Sequence, residues 1–189
     1  MNFSSLTSHF IGVALNADIF ADLFVELQHL IRREKCQGVT LVNPLSVHLT
    51  LYYLPKSIQD LSLQRVLTDL KKQEAIDTIH LKGFAYFETE RKQEHLLYLS
   101  VEEFWPGRIN QQLAQALNHT DLPDNSLDFV AHISILKIEN YSEFKRIQPE
   151  IEKYVARFIQ KKCQQNLFLG IHLYAVSSLF QPELQIIKH

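Results

Sequence analysis

The spacing of apolar and polar positions changes period several times along the chain. "FIGVAL" (10–15) is a short unbroken apolar run, as expected of a buried strand. After it, Ile19, Phe20, Leu23, Leu27, Leu30 and Ile31 recur at helical spacing, with Asn16 placed to cap the helix. "HLTLYYL" (48–54) predicts a strand. Ser57 and Asp60 make a capping-box-like start to a second helix reaching about residue 73, with Ile58, Leu61, Val66, Leu67 and Leu70 on its apolar face. Two strand-like runs, "TIHLKGFAYFE" (78–88) and "HLLYLSVE" (95–102), flank the charged "TERKQE", which reads as a hairpin loop. "PGRINQQLAQALNH" (106–119) predicts a helix with Pro106 in its first turn, "TDLPDNS" (120–126) a loop, and "FVAHISILKI" (129–138) a strand. Residues 141–162 predict helical material that Pro149 divides or restarts. "LFLGIHLYAV" and "ELQIIK" are the last two strands.

The order is strand, helix, strand with His-x-Thr, helix, followed by strand, helix, strand with His-x-Ser, helix. That pattern predicts an internal duplication of low identity. Two such units about a pseudo-twofold axis would face His48 and His132 across one cleft. Strict alternation puts His48, Thr50, Tyr52 and Leu54 on one face of the first strand, and Leu49, Leu51 and Tyr53 on the other. It puts His132, Ser134 and Leu136 together on the second strand and turns Lys137 away from them.

Composition narrows the function without naming it. A chain of 189 residues, 46% hydrophobic and 21% charged, fits one domain over 1–189, or one domain of two lobes. A net charge of −2 argues against tracking duplex DNA and favours a small phosphate ester or an RNA end. No apolar stretch is long enough to span a membrane, and the first residues lack the basic segment of a signal peptide. Cys36 and Cys163 have neither metal nor redox spacing and read as reduced thiols of a cytoplasmic protein. The other histidines, His9, His29, His80, His95, His119, His172 and His189, make no metal-ligand spacing. There is no glycine-rich phosphate loop, so ATP-dependent ligation is not supported. The basic runs "IRREK" and "DLKKQ" lie at helix ends, where solvated cations favour the dipole.

A lone His-x-Thr on a strand carries little information, because strand histidines are often simply hydrogen-bonded side chains. Two of them in matching places of a repeat carry more. Histidine titrates near neutrality. Two imidazoles on opposite sides of a phosphate can divide the labour, one taking a proton from the attacking oxygen and one giving a proton to the leaving oxygen. The hydroxyls of Thr50 and Ser134 can donate to the non-bridging oxygens. This chemistry calls for no metal or other cofactor. Tyr52 and Phe10 are candidates to stack on a base or line the cleft, with a packed structural role as the alternative.

"FIGVAL", "HLTLYYL", "HISILK" and "IHLYAVSS" (171–178), in that order over nearly the whole chain, resemble the 2H phosphoesterases. This two-histidine family includes the RNA 2′,3′-cyclic phosphodiesterases once called 2′-5′ RNA ligases. The resemblance implies an α+β bilobal fold, with two antiparallel sheets flanking a central cleft and helices outside. It implies a hydrolase that opens a ribose 2′,3′-cyclic phosphate, typically to a 2′-phosphate, with RNA 3′ ends or small cyclic nucleotides as partners. Carried over by position, His48 and His132 form the acid–base pair and Thr50 and Ser134 hold the phosphate. The family often has arginine where Lys137 stands; Lys137 is then a further phosphate-binding candidate that keeps the charge but loses the bidentate fork, with a solvated lysine at a strand end as the alternative. Serine at 134 departs from the more usual threonine. A monomer is expected. A nucleotide-binding module without catalysis and a reversible 2′-5′ RNA ligase are the alternatives.

Overall fold

The helix-capping signals act where the sequence places them. In the computed structural model the Asn16 side chain accepts from the Asp18 backbone N–H, and α1 (Ala17–Arg33) follows. It buries the Phe20, Leu23, Phe24, Leu27 and Leu30 stripe. The structure describes residues 8–54, 68–70, 78–89, 94–117, 129–176 and 184–186. The helix expected from Ser57 onward lies outside these, apart from a helical fragment at 68–70. The loop expected at 120–126 lies outside them too.

The remaining elements are β1 (Ser8–Leu15), β2 (Val39–Leu41), a 3₁₀ turn (Pro44–Ser46), β3 (His48–Leu54), β4 (Leu81–Thr89) and β5 (Glu94–Val101). Then come α2 (Trp105–Leu117), β6 (His132–Ile138), α3 (Tyr141–Lys162), β7 (Phe168–Val176) and β8 (Leu184–Ile186). Pro149 does not divide α3. Phe144 and Ile147 before it and Ile151, Val155 and Phe158 after it stay in phase on one buried face. Burying five such side chains, at roughly 1.5–3 kcal/mol each, outweighs the roughly 3 kcal/mol cost of an interior proline.

The strand order is β4-β5-β6-β3-β1-β7-β8, with β2 also on β6, and every pairing is antiparallel. The middle of this series is its weakest joint. β3 and β6 pair only through Leu49 and Ile133, both wholly buried. The two expected sheets are therefore β3-β1-β7-β8 and β4-β5-β6 with β2 on β6, joined among the described residues by a single residue pair. That pair lies on a pseudo-twofold axis. The axis relates β3 to β6, β1 to β5 and β7 to β4.

Each unit completes the other's lobe. β4 ends the first unit but pairs with β5 of the second. β7 ends the second unit but pairs with β1 of the first. The helices cross over as well. α2 packs on β3, where the Asn110 side-chain amide donates to the Leu51 carbonyl at 2.8 Å. α3 packs on β4, where the Tyr86 hydroxyl donates to Glu152 at 2.9 Å. α1 lies along α3, tied by Arg33 to Glu150 at 2.7 Å and by the Phe20–Phe158 ring contact.

The ladders contain bulges at dyad-related places. Between β1 and β3, Gly12 faces Thr50 but Ile11 faces Tyr52, so Leu51 is an extra residue. Between β5 and β6, Tyr98 faces Ser134 but Leu97 faces Leu136, so Ile135 is extra. A bulge leaves its carbonyl without a ladder partner. Asn110 satisfies Leu51, and the Val42 N–H satisfies Ile135 at 2.9 Å. A second matched pair of bulges lies at Lys82 in β4 and Leu169 in β7.

These bulges correct the expectation of strict alternation. Past Leu51 the faces of β3 exchange: Tyr52 is fully buried in the core and Tyr53 is 45% exposed. Past Ile135 the faces of β6 exchange in the same way. Leu136 is buried, and Lys137 shares the face of His132 and Ser134.

Candidate active site

The register at the joint fixes the site. With Leu49 opposite Ile133, His48 stands toward Ser134 and Thr50 toward His132, all on one face. The two histidines are then diagonal neighbours, which in a regular ladder sit roughly 7–8 Å apart. Pairing stops on either side of the joint, and the cleft opens there.

Both rings are anchored in the same way. His48 Nδ1 lies 2.7 Å from the carbonyl oxygen of Ser46, two residues before it. His132 Nδ1 lies 2.8 Å from the carbonyl oxygen of Val130, also two residues before. A carbonyl only accepts, so each Nδ1 carries a proton and each Nε2 is left for the cleft. The Ser46 carbonyl is aimed by its own turn: Asn43 caps the 3₁₀ segment by accepting from the Leu45 N–H, and the Ser46 hydroxyl donates to the Asn43 carbonyl.

Aromatic rings hold the outer side of each imidazole. Phe10 packs on His48 with centroids 4.8 Å apart, and Phe10 stacks on Tyr174 at 4.9 Å. Across the dyad, Phe87 meets His132 edge-on at 4.9 Å and stacks on Tyr98 at 4.2 Å. Gly12 makes the first arrangement possible. A Cβ there would come within 3.1 Å of the Phe10 ring, the Tyr174 ring and the Leu49 carbonyl.

Burial pushes both imidazoles below their ordinary pKa, against a smaller upward pull from the carbonyl each one meets. His48 is lowered further by the charge of His132, so the two rings sense each other. Burial pushes the Tyr174 phenol up to about 12, which keeps it a neutral hydroxyl beside His48. Thr50 is buried at the cleft wall and Ser134 is partly exposed.

The structure brings His48, Thr50, His132 and Ser134 together and turns Lys137 to their face, where it pairs with Glu139 at 2.7 Å. It does not leave Tyr52 or Phe10 open for stacking, since these are 0% and 3% exposed. Tyr53 is the residue that sequence reasoning missed. It occupies on β3 the place that Lys137 occupies on β6. The only signal was the adjacent apolar pair Leu51-Tyr52, which breaks the alternation.

A bilobal antiparallel α+β fold with two dyad-related His-x-Thr/Ser strands defines the 2H phosphoesterase class. More narrowly, the chain belongs to the family described as the AKAP7 2′5′ RNA ligase-like domain, matched over residues 7–179. No curated protein matches it in sequence. Solved structures share its fold at low identity. TT0787 of Thermus thermophilus is 18% identical, with a TM-score of 0.65, over 96% of this chain and 95% of that one. LigT of E. coli, solved with NADP+, is 13% identical, with a TM-score of 0.56, over 98% and 96%. Usb1 of Kluyveromyces marxianus is 13% identical, with a TM-score of 0.50, over 92% and 94%. Among the described residues no helix is long and apolar enough to cross a membrane.

Proposed function

We propose that the protein hydrolyses 2′,3′-cyclic phosphates of nucleotides or RNA 3′ ends, leaving a 2′-phosphate and a 3′-hydroxyl. The observation that carries this reading is the matched anchoring of His48 and His132, which fixes one tautomer on both rings and leaves both Nε2 atoms for the cleft. In the reaction, one neutral Nε2 takes a proton from water as the water oxygen bonds to phosphorus. The phosphorus–O3′ bond breaks, and the other imidazole, protonated at Nε2, gives its proton to O3′. Exchange with solvent resets both rings. Thr50 and Ser134 donate to the non-bridging oxygens, and Lys137 adds charge at the β6 end of the cleft. Its pair with Glu139 is solvent-exposed and worth at most about 1 kcal/mol, so a phosphate can compete for the ammonium. Tyr53 offers an exposed ring to a base. The nucleotide in the E. coli LigT structure is in keeping with a cleft that takes nucleotides.

The test is hydrolysis of 2′,3′-cyclic mononucleotides and of cyclic-phosphate RNA, with product regiochemistry determined. His48→Ala and His132→Ala are each expected to lower kcat/KM by roughly 10²–10⁴-fold with unchanged circular dichroism. Turnover should persist in excess EDTA, because both proton transfers are made by side chains. Undiminished turnover in either variant refutes the assignment. Nucleotide binding without any turnover by the wild type would instead indicate a binding module.

A further inference from the structure

The reacting groups are nearly symmetric about the dyad, whereas a nucleotide is not, so some other cleft residue has to tell its ends apart. Besides Tyr53 and Lys137, which flank the reacting groups, comparing cleft-facing positions across the dyad picks out His172. On β1, Gly12 faces Thr50 on one side and His172 on the other, which puts His172 on the catalytic face. Its dyad mate on β4 is Ala85, which faces Tyr98 just as His172 faces Gly12. The third imidazole therefore belongs to one lobe only.

The surroundings of His172 fix how it lies. Its ring meets Tyr174 edge-on at 6.4 Å, and Tyr174 in turn lies 5.8 Å from the His48 ring. A Cβ at Gly170 would come within 3.0 Å of His172 Nε2, so the imidazole reaches over the glycine backbone. Gly170 faces Ala14, and Ala14 faces His48. The row that runs from His48 through Ala14 to Gly170 thus carries only small side chains and lies alongside the Phe10 and Tyr174 rings that cover Gly12. With two strand spacings between β3 and β7, it is roughly 10 Å long.

A ribose carries its 5′ substituent on the edge away from the 2′,3′ ring. A nucleotide whose cyclic phosphate sits between His48 and His132 can therefore extend its 5′ group across β1 toward β7. We infer that His172 is a specificity-determining residue, donating from Nε2 to a 5′-phosphate, so that the preferred substrate class carries a second phosphate beyond the one that reacts. This rests on the proposed cyclic phosphodiesterase reading.

The experiment compares adenosine 2′,3′-cyclic phosphate with its 5′-phosphorylated counterpart. The wild type is expected to favour the 5′-phosphorylated substrate in kcat/KM by about tenfold or more. His172→Ala should bring that ratio down by about tenfold, mainly through KM, and His172→Lys should restore it. His172→Gln serves as the charge-free variant of similar size if the alanine protein folds poorly. A ratio unmoved in folded His172→Ala or His172→Gln protein overturns the assignment. So does a ratio lost in Lys137→Ala instead, which would place the second phosphate in the other lobe. Failure of the wild type to turn over either substrate overturns the underlying reaction, and this assignment with it.

Discussion

An imidazole held at Nδ1 by a carbonyl can exchange protons with a substrate only through Nε2, so the tautomer of both histidines is set before anything binds. The proposed reaction then needs one ring protonated and one neutral. Both are pushed down by burial, and His48 also by His132, so the singly protonated pair is most populated below the ordinary histidine value of about 6.5. The pH profile of kcat/KM is expected to be a bell with its maximum on the acid side of that value. An anionic substrate favours the charged ring, so the kcat profile should lie at higher pH than the kcat/KM profile. A kcat/KM maximum above neutrality would contradict the burial argument. That His48, Thr50, His132 and Ser134 would come together was legible in the sequence, because the motif and its place in the repeat are matters of side-chain identity and order. The anchors of the two rings were not, since every residue has a backbone carbonyl and only the fold aims those of Ser46 and Val130.

Element boundaries followed from caps and periodicity, and α1 begins at the residue after Asn16 as its capping pattern predicts. What could not be read was which face a side chain takes beyond a bulge. Strict period two puts Lys137 away from the catalytic face and Tyr52 on it, and a single extra residue in each strand reverses both. The extra residues are buried leucine and isoleucine, which look like any other strand positions. Their stability depends on partners remote in sequence, and Asn110 is the clearest example. Asn110→Leu leaves the Leu51 carbonyl buried without a partner and is expected to cost about 1–3 kcal/mol, read from urea unfolding. Because that carbonyl belongs to the strand bearing His48 and Thr50, kcat should fall in the same variant. A stability change below about 0.5 kcal/mol would mean the bulge needs no such support.

The duplication was legible at the scale of the whole molecule, because the order of elements repeats even where residues do not. The exchange of strands between lobes was not legible. The repeat is equally compatible with each unit keeping its own last strand, and pairing partners are not encoded in local pattern. The exchange makes the two units mutually dependent. Cutting the chain between β4 and β5 should give fragments that show no cooperative thermal transition alone and regain one when mixed, followed by circular dichroism. A fragment that melts cooperatively by itself would show that its lobe closes without the borrowed strand.

That interlock also bears on how the protein emerges from the ribosome. β1 is made before the other described strands, yet its outer neighbour β7 is among the last of them to be synthesised. From the synthesis of β1 until that of β7 this edge lacks its partner, an open template for pairing with another nascent chain. Cells making this protein quickly should therefore lean on holdase chaperones until the final strands arrive.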